Sequence, residues 1–132
     1  MTLQTIIDDF EFLEDWEDKY GYIIDLGRNL EALPEEQKTP ENLVPGCTSQ
    51  VWLVHNWGGG KLELQADSDA LIVRGLDAIV LAAYNGKTAA EIKAINITNI
   101  FADLGLDKNL SPNRRNGFVA MVEKIQNLAE AV

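Results

Sequence analysis

Apolar residues at Leu3, Ile6, Ile7, Phe10, Leu13 and Trp16 recur at steps of three and four, which places them on one stripe of an amphipathic helix from about Thr2 to Lys19. Gly21 interrupts this pattern. A second helical stripe, Tyr22, Ile23, Leu26, Leu30 and Leu33, follows it and ends at Pro34, so an antiparallel helix pair is expected. Pro34 to Pro45 is polar and turn-forming apart from Leu43 and Val44, as a surface connection would be.

The period then changes. Ser49 to Asn56 is rich in Val, Trp and Leu, and Lys61 to Ala66 alternates polar with apolar, so two strands flank the turn Trp57-Gly58-Gly59-Gly60 and predict a β-hairpin. Asp67-Ser68-Asp69 offers N-caps for a mostly buried helix over Ala70 to Tyr84, stopped by Asn85-Gly86. Thr88-Ala89-Ala90-Glu91 has the form of a capping box, and Ile97, Ile100, Phe101 and Leu104 mark a further short helix closed by Gly105. A last helix opens with Ser111 as N-cap and Pro112 at its first position, and Phe118, Met121, Val122, Ile125 and Leu128 carry its core face. The expected class is α+β: a short antiparallel sheet, the hairpin with room for a third strand, packed against helices.

A chain of 132 residues that is 46% hydrophobic fits one domain, residues 1–132, with one core. The longest uninterrupted apolar run, Ala78 to Tyr84, is far short of the ~20 residues of a membrane span. Eleven basic against twenty-one acidic residues give a net charge of −10, a field that repels phosphate backbones and anionic headgroups. Neither nucleic acid nor a membrane is therefore expected as a partner. The first residues lack the charged and apolar regions of a secretory signal, so a cytoplasmic location is expected. Seven of the carboxylates crowd between Asp8 and Asp18 with no basic residue among them, either as a solvated face or as a docking surface for a basic partner.

Chemistry has few places to sit. One cysteine, Cys47, excludes an internal disulfide, and with one histidine, His55, the chain cannot build a four-ligand Cys/His zinc site. Cys47 stands in Val44-Pro45-Gly46-Cys47-Thr48-Ser49, small and turn-forming residues immediately before a strand, which suits a thiol presented at a loop tip as well as a small buried one. In extended chain His55 would lie roughly 26 Å away, too far to serve as its base. An isolated thiol is only a few per cent thiolate at neutral pH, so Cys47 needs a nearby cation or an activated sulfur to react with. Arg74, Arg114 and Arg115 are the candidate cations.

The stretch Gly46-Cys47-Thr48-Ser49-Gln50-Val51-Trp52 resembles the signature of the SufE family of sulfur-acceptor proteins. Three further segments resemble the family in order: Tyr22-Ile23-Ile24-Asp25-Leu26-Gly27, then Asp67-Ser68-Asp69-Ala70 with Ile72-Val73-Arg74-Gly75-Leu76, then Leu110-Ser111-Pro112-Asn113-Arg114 with Asn116-Gly117. The resemblance implies the fold that this family shares with U-type iron–sulfur scaffolds. It also implies a protein that accepts sulfur from the persulfide of a pyridoxal-phosphate cysteine desulfurase of the SufS kind, stimulates that enzyme, and passes the sulfur to an iron–sulfur assembly scaffold. Cys47 would form the persulfide, Gly46, Ser49 and Gln50 would shape its loop, and Arg114 would stabilise the thiolate or persulfide or stand at the desulfurase interface. Trp52 is expected in the core. No cofactor or metal is expected in the chain itself, the pyridoxal phosphate belonging to the desulfurase, and a homodimer is left open. Scaffolds hold a cluster with several cysteines, so a chain with one departs from them. The implied protein is an accessory of the desulfurase and not an autonomous enzyme. The alternative is an acidic adaptor that activates a partner by docking, with Cys47 incidental. A redox thiol protein would lack a resolving cysteine.

Overall fold

A computed structural model describes residues 2–45 and 49–132; Met1, Gly46, Cys47 and Thr48 lie outside the described residues. Among them the chain forms α1 (Leu3–Phe12), α2 (Trp16–Asn29), β1 (Val51–Gly58), β2 (Lys61–Ser68), α3 (Leu71–Tyr84), β3 (Lys87–Thr88), α4 (Ala89–Ala94), α5 (Ile97–Asp103), α6 (Leu106–Asn109) and α7 (Pro112–Glu130). The class is α+β, as the pattern predicts. Two 3-10 turns, Glu35–Gln37 and Pro40–Asn42, carry the chain from α2 to the sheet.

The hairpin is register-matched from Val51 opposite Ser68 to Gly58 opposite Lys61. Its two-residue turn is Gly59-Gly60, both at positive φ (61° and 80°), which suits the right-handed twist of the strands and is open to glycine at no steric cost. β3 adds to the far edge of β2, Lys61 facing Thr88 and Leu62 facing Lys87, giving an antiparallel sheet in the order β1-β2-β3. Leu62, Leu64 and Ala66 of β2 are buried on one face, against which α3 packs. Asn85 ends α3 and its side-chain oxygen accepts the Leu64 amide at 2.8 Å, tying the helix stop to the sheet.

The amino-terminal helices differ from expectation. The chain breaks between Leu13, which is extended (φ −83°, ψ 130°), and Asp15 at the N-cap position of α2, and α2 runs straight through Gly21. In one continuous helix Phe10 and Tyr22 would stand about 18 Å apart along the axis. The break instead brings their rings edge to face, centroids 5.5 Å apart, and lets the Tyr22 hydroxyl donate to Asp9 at 2.6 Å. Gly21 is exposed with open space beside it, so its cost is only the ~1 kcal/mol of helical glycine.

The helix pair that forms is α2 with α3, the most extensive helix–helix packing of the fold. Gly27 and Gly75 make the close approach possible: a Cβ on Gly75 would overlap the Ile23 carbonyl oxygen, and one on Gly27 the Leu71 carbonyl oxygen. On the other side α7 closes the core, Phe118 stacking on Phe101 with centroids 4.2 Å apart. Gln126 on α7 donates to the Tyr84 hydroxyl at 3.1 Å and to the Ile92 carbonyl at 3.0 Å. The expected capping box on α4 is present in both directions, Thr88 with Glu91, and Ser111 caps α7 by accepting the Arg114 amide. α6 follows Gly105, which adopts φ 76°. No helix among the described residues is long and apolar enough to cross a membrane.

Candidate functional site

The segment carrying Cys47 is held shut at both ends. On one side Leu43 bridges to Trp52 and the Val44 amide donates to the Val51 carbonyl at 2.8 Å. On the other, Gln50 is gripped through its backbone: its amide donates to the Asp69 carboxylate at 3.1 Å, and its carbonyl accepts from the Ser68 hydroxyl at 2.7 Å and the Asp69 amide at 3.2 Å. Val44 and Val51, the described residues on either side of this segment, therefore lie side by side. Cys47 and Gly46 themselves lie outside the described residues.

Asp67-Ser68-Asp69 thus serves this clasp, and the N-cap position of α3 falls to Ala70, whose side chain can accept nothing. Ser68 still helps there, its hydroxyl accepting the Ala70 amide at 3.2 Å. Asp67 is turned inward and is 2% exposed. Its carboxylate accepts the Leu33 and Ser68 amides and lies 3.3 Å from Arg74 Nε and 3.6 Å from Lys38 Nζ. Arg74 is near enough to pair with Asp67 but is not aligned for a hydrogen bond through Nε; it donates instead from its other arm to the Leu30 carbonyl.

Beside Ser49, between β1, α3 and the start of α7, lies a cavity of about 420 Å³. Val51, Val73, Leu76, Phe118 and Met121 form its apolar wall, and Ser49, Ser111, Asn113 and Arg114 its polar side. Of the three arginines weighed as partners for the thiol, only Arg114 lines this space among the described residues; Arg115 donates to the Asp107 carbonyl at 3.2 Å. Arg114 is positioned by the N-terminal turn of α7 and by a 3.2 Å hydrogen bond to the hydroxyl of Tyr20 on α2. Ser49 thus shares the cavity with Arg114, whereas exposed Gln50 contributes only its backbone to the clasp. His55 is exposed in the middle of β1 opposite Leu64, away from the cavity. Trp52 is half-buried and not in the core: it faces outward on β1 with the Lys38 ammonium 5.5 Å from its ring, because Val51 and Leu53 take the inner positions of the alternating strand.

Two residues that pattern reading passes over belong to this site. Tyr20 is one, and Asp77 is the other. Asp77 interrupts the apolar run of α3, is 1% exposed, lines the cavity, and has no hydrogen-bond partner on either carboxylate oxygen among the described residues. A lone acid within an apolar helical run was the only signal available for it. Burial pushes its carboxyl well above the ordinary carboxylate range; the negative charge of Asp67 adds to the shift and Arg74 offsets part of it.

The sign of the consequence follows from linkage. In the unfolded chain Asp77 loses its proton near the usual pH of about 4, while the folded protein keeps it, so the folded state binds more protons and stability falls as pH rises toward the folded value. Asp77→Asn removes that decline. In urea titrations from about pH 4 upward the variant is expected to gain on the parent progressively with pH, and a difference that stays flat would show that Asp77 is not buried as a neutral acid.

Residues 4–129 match the SufE family, described as an Fe-S metabolism associated domain. The chain is 53% identical over 98% of its length to an uncharacterized SufE-like protein of Rhizobium etli, covering 90% of that protein. It is 50% identical, again over 98% of its length, to an uncharacterized SufE-like protein of Rhizobium meliloti, covering 95% of it. Its fold is similar to the solution structure of a hypothetical protein from Thermus thermophilus, with a TM-score of 0.78, 16% identity, and coverage of 99% of this chain and 97% of the other. A family match over residues 4–129, together with two SufE-like relatives at 53% and 50% identity over 98% of its length, makes this chain a member of the SufE family.

Proposed function

We propose that the protein accepts and carries sulfane sulfur on Cys47, taking it from the cysteine persulfide of a pyridoxal-phosphate desulfurase, stimulating that enzyme, and delivering the sulfur to iron–sulfur cluster assembly. The observation that supports this reading is the family's cysteine motif: Cys47 is two residues along the sequence from cavity-lining Ser49 and falls between the anchored residues Val44 and Gln50. Anchored flanking residues of this kind suit a thiol that must be reached by another protein's sulfur.

The chemistry needs no oxidant. The Cys47 thiolate attacks the outer sulfur of the donor persulfide, a new S–S bond forms on Cys47, the donor's S–S bond breaks, and its electron pair leaves with the desulfurase cysteine as thiolate. Access and thiolate character govern such a step, and the Arg114 guanidinium is the group that supports an anionic sulfur from the cavity side. Six of the seven clustered carboxylates on α1, α2 and their junction are exposed, which supports a basic docking partner for this end of the molecule.

Intact mass after incubation with a cysteine desulfurase and free cysteine tests the reading directly. A gain of one sulfur atom that maps to Cys47 and is removed by reductant is the expected result. No gain, with desulfurase turnover still raised, would overturn carriage in favour of non-covalent activation by docking.

A further inference from the structure

We propose that the elbow between α1 and α2 is the surface by which this protein docks on its sulfur donor, with Phe12 as an aromatic anchor that enters an apolar pocket rimmed by lysine or arginine on the desulfurase. The identity of the donor rests on the carriage reading above; where and how it is held is the addition. Phe12 is 87% exposed. Apart from Val132, the last residue, the next most open large apolar side chains among the described residues are Val119 and Leu71, at 44% and 37%. The helix itself sets this exposure. α1 turns Ile6 and Phe10 to the core, and Phe12 stands about 200° further round than Phe10, on the face it shares with Asp8.

The surroundings of Phe12 decide what kind of surface covers it. Six of the seven carboxylates from Asp8 to Asp18 are exposed, no basic residue stands among them, and none of the seven forms an ion pair among the described residues. Lys19, which follows them directly, is in no ion pair either. An aromatic side chain inside a charged rim is the anatomy of a binding hot spot, and the complement of this rim is basic. A second copy of this chain, at a net charge of −10, would bring like charge against it. The elbow is also connected to the candidate site. Trp16 at the start of α2 meets Tyr20 edge to face, centroids 6.4 Å apart, and the Tyr20 hydroxyl accepts from Arg114, which lines the cavity with Ser49. A standard interface of ~800 Å² per partner is wide enough for one protein to cover both the elbow and that cavity. A donor anchored at Phe12 is thereby held while its sulfur is passed.

Calorimetric titration of a cysteine desulfurase of the SufS kind with the reduced protein, without cysteine so that no sulfur moves, tests this at about 50 and about 300 mM salt. The parent is expected to bind with a Kd of about 10 μM or tighter at low salt and at least about fivefold more weakly at high salt. Phe12→Ala is expected to bind at least about tenfold more weakly at both, with its melting temperature unchanged because the side chain it loses is exposed. Glu14→Gln with Glu17→Gln is expected to weaken binding at low salt and to flatten the salt dependence. In assays of alanine formation Phe12→Ala should raise the concentration for half-maximal stimulation by the same factor and leave the maximal rate as it is, a split that damage to Cys47 would not produce. No binding by the parent at about 100 μM, equal binding by Phe12→Ala, or binding indifferent to salt would each overturn the surface. The intact-mass assay run alongside separates this from carriage: sulfur on Cys47 with equal binding by Phe12→Ala sinks the surface alone, and binding that depends on Phe12 with no sulfur on Cys47 sinks carriage alone.

Discussion

Cys47→Ser is expected to abolish sulfur acceptance while leaving the fold intact. A serine oxygen cannot form the S–S bond that holds the cargo, so desulfurase turnover in the presence of the variant should fall to that of the desulfurase alone when no other acceptor is supplied. The fold should not notice the change, because the loop ends are secured from outside it by Val44 with Val51 and by Asp69 and Ser68 with Gln50. The measurement is sulfide or alanine formation with parent and variant at equal concentration, with melting temperatures recorded alongside. Full stimulation by Cys47→Ser at an unchanged melting temperature would refute covalent carriage. Arg114→Ala separates position from chemistry: transfer should slow severalfold near neutral pH and recover as pH approaches the ordinary thiol value of about 8.5, where thiolate no longer needs a cation. A loss that is equal at all pH values would assign Arg114 to docking.

Asp67→Ala is expected to cost about 3–5 kcal/mol of stability, the scale for breaking a buried charge pair from one side. Asp67 is the hub joining three stretches of chain: the Leu33 amide after α2, the Ser68 amide at the end of β2, and the cations Arg74 and Lys38. Both of those cations are mostly covered, with 22% of each side chain exposed, so removing the carboxylate strands Arg74 beside α2 with only the Leu30 carbonyl and leaves the Leu33 amide unpaired. For a chain of 132 residues this corresponds to a fall in melting temperature of roughly 10–20 °C. Because Ser68 and Asp69 follow directly and hold Gln50, sulfur acceptance should decline below the melting range as well. A loss under about 1 kcal/mol would mean that neighbouring groups rehydrate freely and that the hub is not needed.

Much of this architecture was legible in local sequence. The two hairpin strands, the Thr88 capping box and the Ser111-Pro112 start each depend on neighbours within a few residues and form where the pattern puts them, while the turn expected over Trp57 to Gly60 narrows to Gly59-Gly60 because Trp57 and Gly58 pair within β1. The cysteine motif was legible for the same reason, being a contiguous string. What sequence alone misplaced was decided by groups distant along the chain. The break before α2 depends on Phe10 meeting Tyr22, the pairing of α2 with α3 on two glycines that must face each other, and the outward position of Trp52 on which alternate residues of β1 meet the core. Asp67-Ser68-Asp69 has the composition of a helix cap, yet its work is to clasp Gln50 and anchor Arg74. Arg114 and Tyr20 are 94 residues apart and meet only because α7 crosses the α2 end of the core. The sequence by itself determined that Cys47 is the one thiol and that it stands among small, turn-forming residues. Only the tertiary structure decided that Ser49, Arg114 and the buried Asp77 line one cavity, since burial and pairing are properties of surfaces brought together by the whole fold.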